Sequence, residues 1–174
     1  MKNIKYIACL IALAFLGCET DYDFEDRGFD LQELPNYVAF NPAGTRVTFP
    51  DVDVAEDDDP EDISIEIPGG TLSDVTVNYT FGGDAVFGTD FSVDGATSAG
   101  GTLEIALTTV PNQDGLPVNG DIVVNLLEDG VVDGDKTLTI TIVSASNADG
   151  ELPIGRGGLD LLRTATVIIE DIDE

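Results

Sequence analysis

The side chains in this sequence best equipped for chemistry are carboxylates, and they come in bunches. The stretch LLEDGVVDGDKTLTI, residues 126–140, sets Glu128, Asp129, Asp133 and Asp135 between two runs of strand-like alternation. AEDDDPED brings Glu56 with a further string of acids, Asp90 stands in FGTDF, and EDIDE holds Asp171 and Asp173. Oxygen donors of this kind suit two sorts of work. Paired carboxylates can act as general acid and base. Clusters of them can hold a hard divalent cation such as Ca²⁺, which takes about 6–8 oxygens. A third reading is plain solvation of each loop. An EF-hand is excluded, because DVDVAEDDDPED has Ala55 where a third ligand belongs and lacks the turn glycine.

Composition narrows the choice. The 174 residues carry 34 acidic and 7 basic side chains, a formal charge of −27, with no His and no Trp. That balance argues against nucleic acid as a partner and against electrostatic docking on anionic lipid heads. Without His there is no Ser–His or Cys–His pair and no imidazole zinc ligand. An enzyme is therefore not expected, and no catalytic residue is assigned. A glycan as partner would have to stack on residues such as Tyr37, because the large indole face is missing.

Distant acids act together only if the elements between them bring their loops to one place. ISIEI sets Ile63, Ile65 and Ile67 on one face, and VTVNYTF sets Val75, Val77, Tyr79 and Phe81 on one face. YVAF, TLEIAL with Leu103, Ile105 and Leu107, IVVNLL, KTLTITIV and TATVII read the same way. RVTFPDVDVAED extends the pattern through Val47, Phe49, Val52 and Val54. Period-2 alternation with Gly, Asp and Pro between the runs predicts an all-β, two-sheet antiparallel sandwich of about seven strands. SASNADGELPIGRGGLDLLR reads as the longest loop, with Leu159, Leu161 and Leu162 forming one helical turn over a sandwich end. Strand-end loops of a sandwich gather at two poles, so acids far apart in sequence can converge there. Converged carboxylates repel, and protonation or a cation must relieve them.

The first residues are of another kind. MKNIKYIACLIALAFLGC runs from Lys2 and Lys5 through an apolar stretch to Gly17-Cys18, the order of a signal peptide. The apolar run is too short for a comfortable transmembrane helix. FLGC resembles a bacterial lipobox, which implies a signal over 1–17 and lipid on Cys18. Cys9 would leave with the signal, so no internal disulfide is expected. Residues 18–35 read as an acidic tether, and the acids after Cys18 resemble surface-export signals of some Bacteroidetes lipoproteins. The expected location is the outer membrane, lipid-anchored, with either face open and the surface-export resemblance pointing to the cell surface.

VAEDDDPEDISIEI, VTVNYTFGGDAVFGTDFSV, GTLEIAL, VNLLEDGVVDGDKTLTITI and TATVIIEDID occur in the order and spacing of a Calx-beta domain. The resemblance spans residues 36–174 and implies an immunoglobulin-like sandwich with Ca²⁺ at one pole. On its pattern the ligands would be Glu56, Asp90, Glu128, Asp129, the Val131 carbonyl, Asp133, Asp171 and Asp173. Lys136 stands where a further carboxylate can occur, Ile172 interrupts the terminal acids, and Asp133 is one methylene shorter than the family's glutamate. These departures imply one or two ions instead of a fuller cluster. The function implied is a lipid-anchored binding or adhesion module with a protein partner in an outer-membrane or cell-surface assembly. The alternative is a structural accessory subunit of an uptake or secretion complex, with a solvated acidic pole and no metal.

Overall fold

A computed structural model of the chain describes residues 36–42, 46–71, 73–106 and 117–173. The signal segment, Cys18, the tether and Leu107 lie outside the described residues. In chain order the strands are β1 Ala39–Phe40, β2 Val52–Ala55, β3 Glu61–Ile67, β4 Val75–Gly83 and β5 Phe91–Ser92. They continue as β6 Gly100–Ile105, β7 Val118–Leu126, β8 Lys136–Asn147, β9 Gly150–Leu152 and β10 Thr164–Glu170. One sheet runs β1-β3-β7-β5 and the other β2-β10-β8-β4-β6, with β9 paired to the far half of β8. The architecture is the expected all-β, two-sheet sandwich. It has more strands than expected because β1, β5 and β9 are only two or three residues long.

Each long strand sends alternate side chains inward. Ile63, Ile65 and Ile67 of β3 meet Val75, Val77 and Tyr79 of β4, Leu138, Ile140 and Ile142 of β8, and Ala165, Val167 and Ile169 of β10 in one core. β-branched residues suit this pleated, half-buried surface, which is why alternation alone identified the strands.

Among the paired strands of the described residues, β2 and β10 depart from an antiparallel sandwich. β2 lies parallel to β10, with Val52 opposite Val167 and Ala55 opposite Glu170. Parallel neighbours leave the sheet in the same direction. Glu56, just after β2, and Asp171, just after β10, therefore emerge at the same pole. The close of β4 also serves that pole. Gly83 has φ +95°, and a Cβ there would collide with the Thr137 carbonyl, so only glycine lets β4 approach β8 so closely.

Three expectations are corrected. Val47 does not extend a strand inward; it is 54% exposed, and the strand begins only at Val52. Pro50 lacks the N–H a ladder needs, and the alternation breaks phase across it, between Phe49 and Val52. SASNADGEL is no loop, because β8 continues to Asn147 and turns into β9, where Asn147 Oδ1 accepts the amides of Asp149 and Gly150. The helical turn is also displaced: a single 3₁₀ turn covers Arg156–Gly158, and of the three leucines only Leu162 is buried.

Candidate metal centre

The parallel register of β2 and β10 builds the site. The Glu56 amide donates to the Glu170 carbonyl (3.2 Å), which continues the ladder one step past the strands. The Ile172 amide in turn donates to Glu56 Oε1 (3.3 Å), joining residues 116 positions apart. Just beyond, the Asp173 amide donates to Asp171 Oδ1 (2.9 Å) and folds the acidic end into a tight turn. Glu56, Asp171 and Asp173 thereby bring carboxylate oxygens within 4.8 Å of one another.

Loop 127–135 closes over this triad from the side. Asp171 Oδ2 accepts the amides of Asp133 (2.7 Å) and Gly134 (2.6 Å), and the Asp171 amide donates to Asp135 Oδ1 (3.2 Å). Asp171 is thus a staple between loop and strand end as well as a carboxylate of the cluster. The Gly134 amide first, then those of Asp173 and Asp133, hold its carboxyl below the usual 3.8.

Glu56 behaves in the opposite sense. Only 9% of it is exposed. Burial, and then the charges of Asp173, Asp171 and Asp129, push its carboxyl above the usual 4.5, although the Ile172 amide pulls the other way. A group raised on folding favours the fold below its unfolded value and loses that contribution as pH climbs through its folded value. In chelator, Glu56→Gln is therefore expected to raise the melting temperature at pH 7 and to leave it unchanged below about pH 4. With a cation bound, the same substitution must lower it. Thermal melts across this pH range, with and without metal, check the reversal of sign; a loss of stability at pH 7 in chelator would contradict it.

The remaining expected ligands lie outside the group whose carboxylate oxygens meet within 4.8 Å. Asp129 lies within electrostatic range of Glu56, and its Oδ1 accepts the Val131 amide (2.8 Å). Val131 and Glu128 are exposed. The Asp133 carboxylate forms an ion pair with Lys136 (2.9 Å), which holds the Lys136 ammonium above its usual value. Asp90 is buried, but its Oδ2 accepts the Val86 amide (2.5 Å) and so closes its own turn. The site list drawn from sequence omitted two acids. Asp135 holds Asp171, and Asp84 Oδ1 accepts the Thr137 amide (2.6 Å) at the root of the loop. The GGD step closing β4 and the GDK step opening β8 are the signals that could have found them.

Whether the triad suits a cation is decided by its donor set. All its side-chain donors are oxygens, and among the described residues no cationic side chain forms an ion pair with any of the three and Asp173 Oδ2 is buried without a hydrogen-bond partner. A buried carboxylate oxygen left unmatched is costly unless something positive meets it. The residues fit a hard divalent ion.

A two-sheet sandwich whose strand ends bring acids to one pole has the fold of the Calx-beta domains. The chain is similar to the crystal structure of the apo-form Calx CBD1 domain, with TM-score 0.54 and 19% identity, over 79% of this chain and 98% of that one. It is also similar to the Calx CBD2 domain, with TM-score 0.53 and 17% identity, over 79% and 88% of the two chains. A third similar structure, the calcium binding domain CBD12 of CALX1.1, gives 0.52 and 21% over 78% of this chain. This chain spans 44% of that structure. No family model and no curated protein matches the sequence.

Proposed function

We propose that the chain is a lipid-anchored, extracytoplasmic binding module whose acidic pole takes up Ca²⁺. The observation that carries the calcium reading is the convergence of Glu56, Asp171 and Asp173 at Asp173 Oδ2, which is buried with no hydrogen-bond partner among the described residues. Glu56, Asp171 and Asp173 would hold the ion, with Asp129 near enough to add charge. A bound Ca²⁺ supplies neutralisation of the pole and a tie between the ends of β2 and β10. Lys136 already neutralises Asp133, so a single ion at the triad is the stoichiometry this arrangement favours. Calorimetric titration of the metal-free chain is the direct test. Saturable uptake of Ca²⁺ that disappears in Asp173→Asn supports the reading, and no uptake up to millimolar Ca²⁺ sinks it.

A second reading has its own observation. Asp171 already accepts three backbone amides and Asp133 already has a lysine, so loop and pole hold together through internal bonds. A structural subunit with a solvated pole needs no more than that. Failure of the titration would leave this reading in place.

Anchoring rests on Lys2, Lys5, the apolar run and Gly17-Cys18. Cys18→Ala is expected to shift the protein out of the membrane fraction or to block its processing. A variant that is processed and still sediments with membranes would exclude the lipid anchor.

A further inference from the structure

The flank of the sandwich beside β1 carries a surface of opposite character to the acidic pole. Arg46, Lys136, Arg156 and Arg163 are the cationic side chains among the described residues, and Arg156 and Arg46 are joined on this flank, where the Arg156 guanidinium reaches the Arg46 carbonyl. Arg163 is matched by Asp160 (3.2 Å). Arg46 and Arg156 have no carboxylate partner among the described residues. Val47 follows Arg46 in the chain, the Leu159 amide and the Leu161 carbonyl bond the Arg156 backbone, and the three side chains are 54%, 62% and 40% exposed. Single exposed apolar residues are ordinary. Three of them on the two segments that carry guanidinium groups without a carboxylate partner among the described residues, in a chain of charge −27, are not.

The patch is held in shape. Arg156 Nη1 donates to the Arg46 carbonyl (2.8 Å), and the Arg156 amide donates to the Leu161 carbonyl (2.7 Å). Phe40 ties both segments down: its amide donates to the Leu162 carbonyl (2.9 Å), and its ring meets Phe49 edge-on at 5.6 Å. Leu162 has φ +56°, a conformation rare for leucine, and its side chain is nevertheless buried. Packing of Leu162 thus imposes the loop's course and keeps Leu159 and Leu161 turned outward.

We propose that this flank docks an acidic, leucine-bearing segment of a partner protein, with Arg46 and Arg156 taking its carboxylates and Val47, Leu159 and Leu161 its apolar side chains. Charge complementarity selects carboxylates, which the planar guanidinium can bind through two parallel hydrogen bonds. The apolar neighbours select a peptide over a sulfated glycan, which would leave them uncovered. The repulsion of the rest of the chain is screened beyond about 8 Å at physiological salt, so the local guanidinium groups decide. The surface is separate from the acidic pole, and its occupancy does not depend on the calcium reading.

The test is fluorescence anisotropy on the full chain, at physiological ionic strength, in chelator and in Ca²⁺. The probe is a labelled short peptide alternating Asp or Glu with Leu. One control peptide carries Ser for Leu, and the other carries Asn and Gln for the acids. Saturable binding of the probe is expected, with both controls weaker by about tenfold or more. Arg46→Ala is the cleanest variant, because its guanidinium makes no internal bond among the described residues. It should weaken binding about tenfold without changing the melting temperature, and Leu159→Ser should do the same. Three results would overturn the proposal: no saturable binding, full binding by Arg46→Ala, or a heparin-like oligosaccharide that binds as tightly and displaces the peptide.

Discussion

Ca²⁺ at about a hundredfold excess over its dissociation constant is expected to raise the melting temperature of the chain by about 5–10 °C. An ion that binds only the folded state stabilises it by RT ln(1 + [L]/Kd), about 2.7 kcal/mol at that excess. For a chain of 174 residues each kcal/mol is worth roughly 2–4 °C. Mg²⁺ should do less, because it demands a small octahedron and gives up its waters reluctantly. Monovalent salt also screens an acidic pole, so the comparison must be made at matched ionic strength. Asp173→Asn is the diagnostic variant: it removes a charge and the unpartnered oxygen but no structural bond accepted by that oxygen. It should abolish most of the shift. Asp171→Asn is a poorer probe, because it also weakens the staple to Asp133 and Gly134 and should destabilise the metal-free protein. Asp57→Asn, on the exposed turn after Glu56, should leave the shift intact. Equal shifts with Ca²⁺ and Mg²⁺, unchanged in Asp173→Asn, would leave only the solvated pole.

The other large effect belongs to the core. Phe91→Ala is expected to cost about 3–5 kcal/mol, read as a lower urea midpoint at unchanged slope. Phe91 is buried where β5 meets β7, with Phe81 edge-on at 5.0 Å and Phe87 edge-on at 5.5 Å. Phe81 also stacks on Phe87 at 5.9 Å and touches Tyr79 at 5.6 Å, so removing one ring leaves a cavity the others cannot fill. Asp90 precedes Phe91; its Oδ2 accepts the Val86 amide, its carbonyl accepts the Leu127 amide (3.0 Å), and it lies outside the group whose carboxylate oxygens meet within 4.8 Å. The calcium shift should therefore survive in Phe91→Ala although the protein melts earlier. Loss of both together would mean that the 84–90 turn supports the triad after all.

The strands were legible because alternation is a local signal. Ile63, Ile65 and Ile67 point inward whatever the rest of the chain does, and Leu138, Ile140 and Ile142 likewise. The site was legible as a set of acids but not as a set of contacts. Which carboxylates meet depends on β2 lying parallel to β10, and alternation carries no information about strand direction. The resemblance set Asp90 and Asp133 beside Asp173, but it could not show that Asp90 also accepts the Val86 amide or that Asp133 pairs with Lys136. The same limit hid the Arg46 flank. Val47 and Leu159 are apolar, and only tertiary structure tells an apolar residue that faces the core from one left outside.

The parallel β2–β10 ladder also has a mechanical meaning. Tension applied through the segment entering β2 and the segment leaving β10 pulls the two strands past each other lengthwise. Hydrogen bonds loaded this way share the force and must yield together, unlike a hairpin, which unzips one bond at a time. The clamp runs from Val52–Val167 to Ala55–Glu170 and is extended by the Glu56 and Ile172 amides. A cation held by Glu56, Asp171 and Asp173 would add a crosslink at the end of that clamp, so that rupture force in a pulling experiment would rise with Ca²⁺.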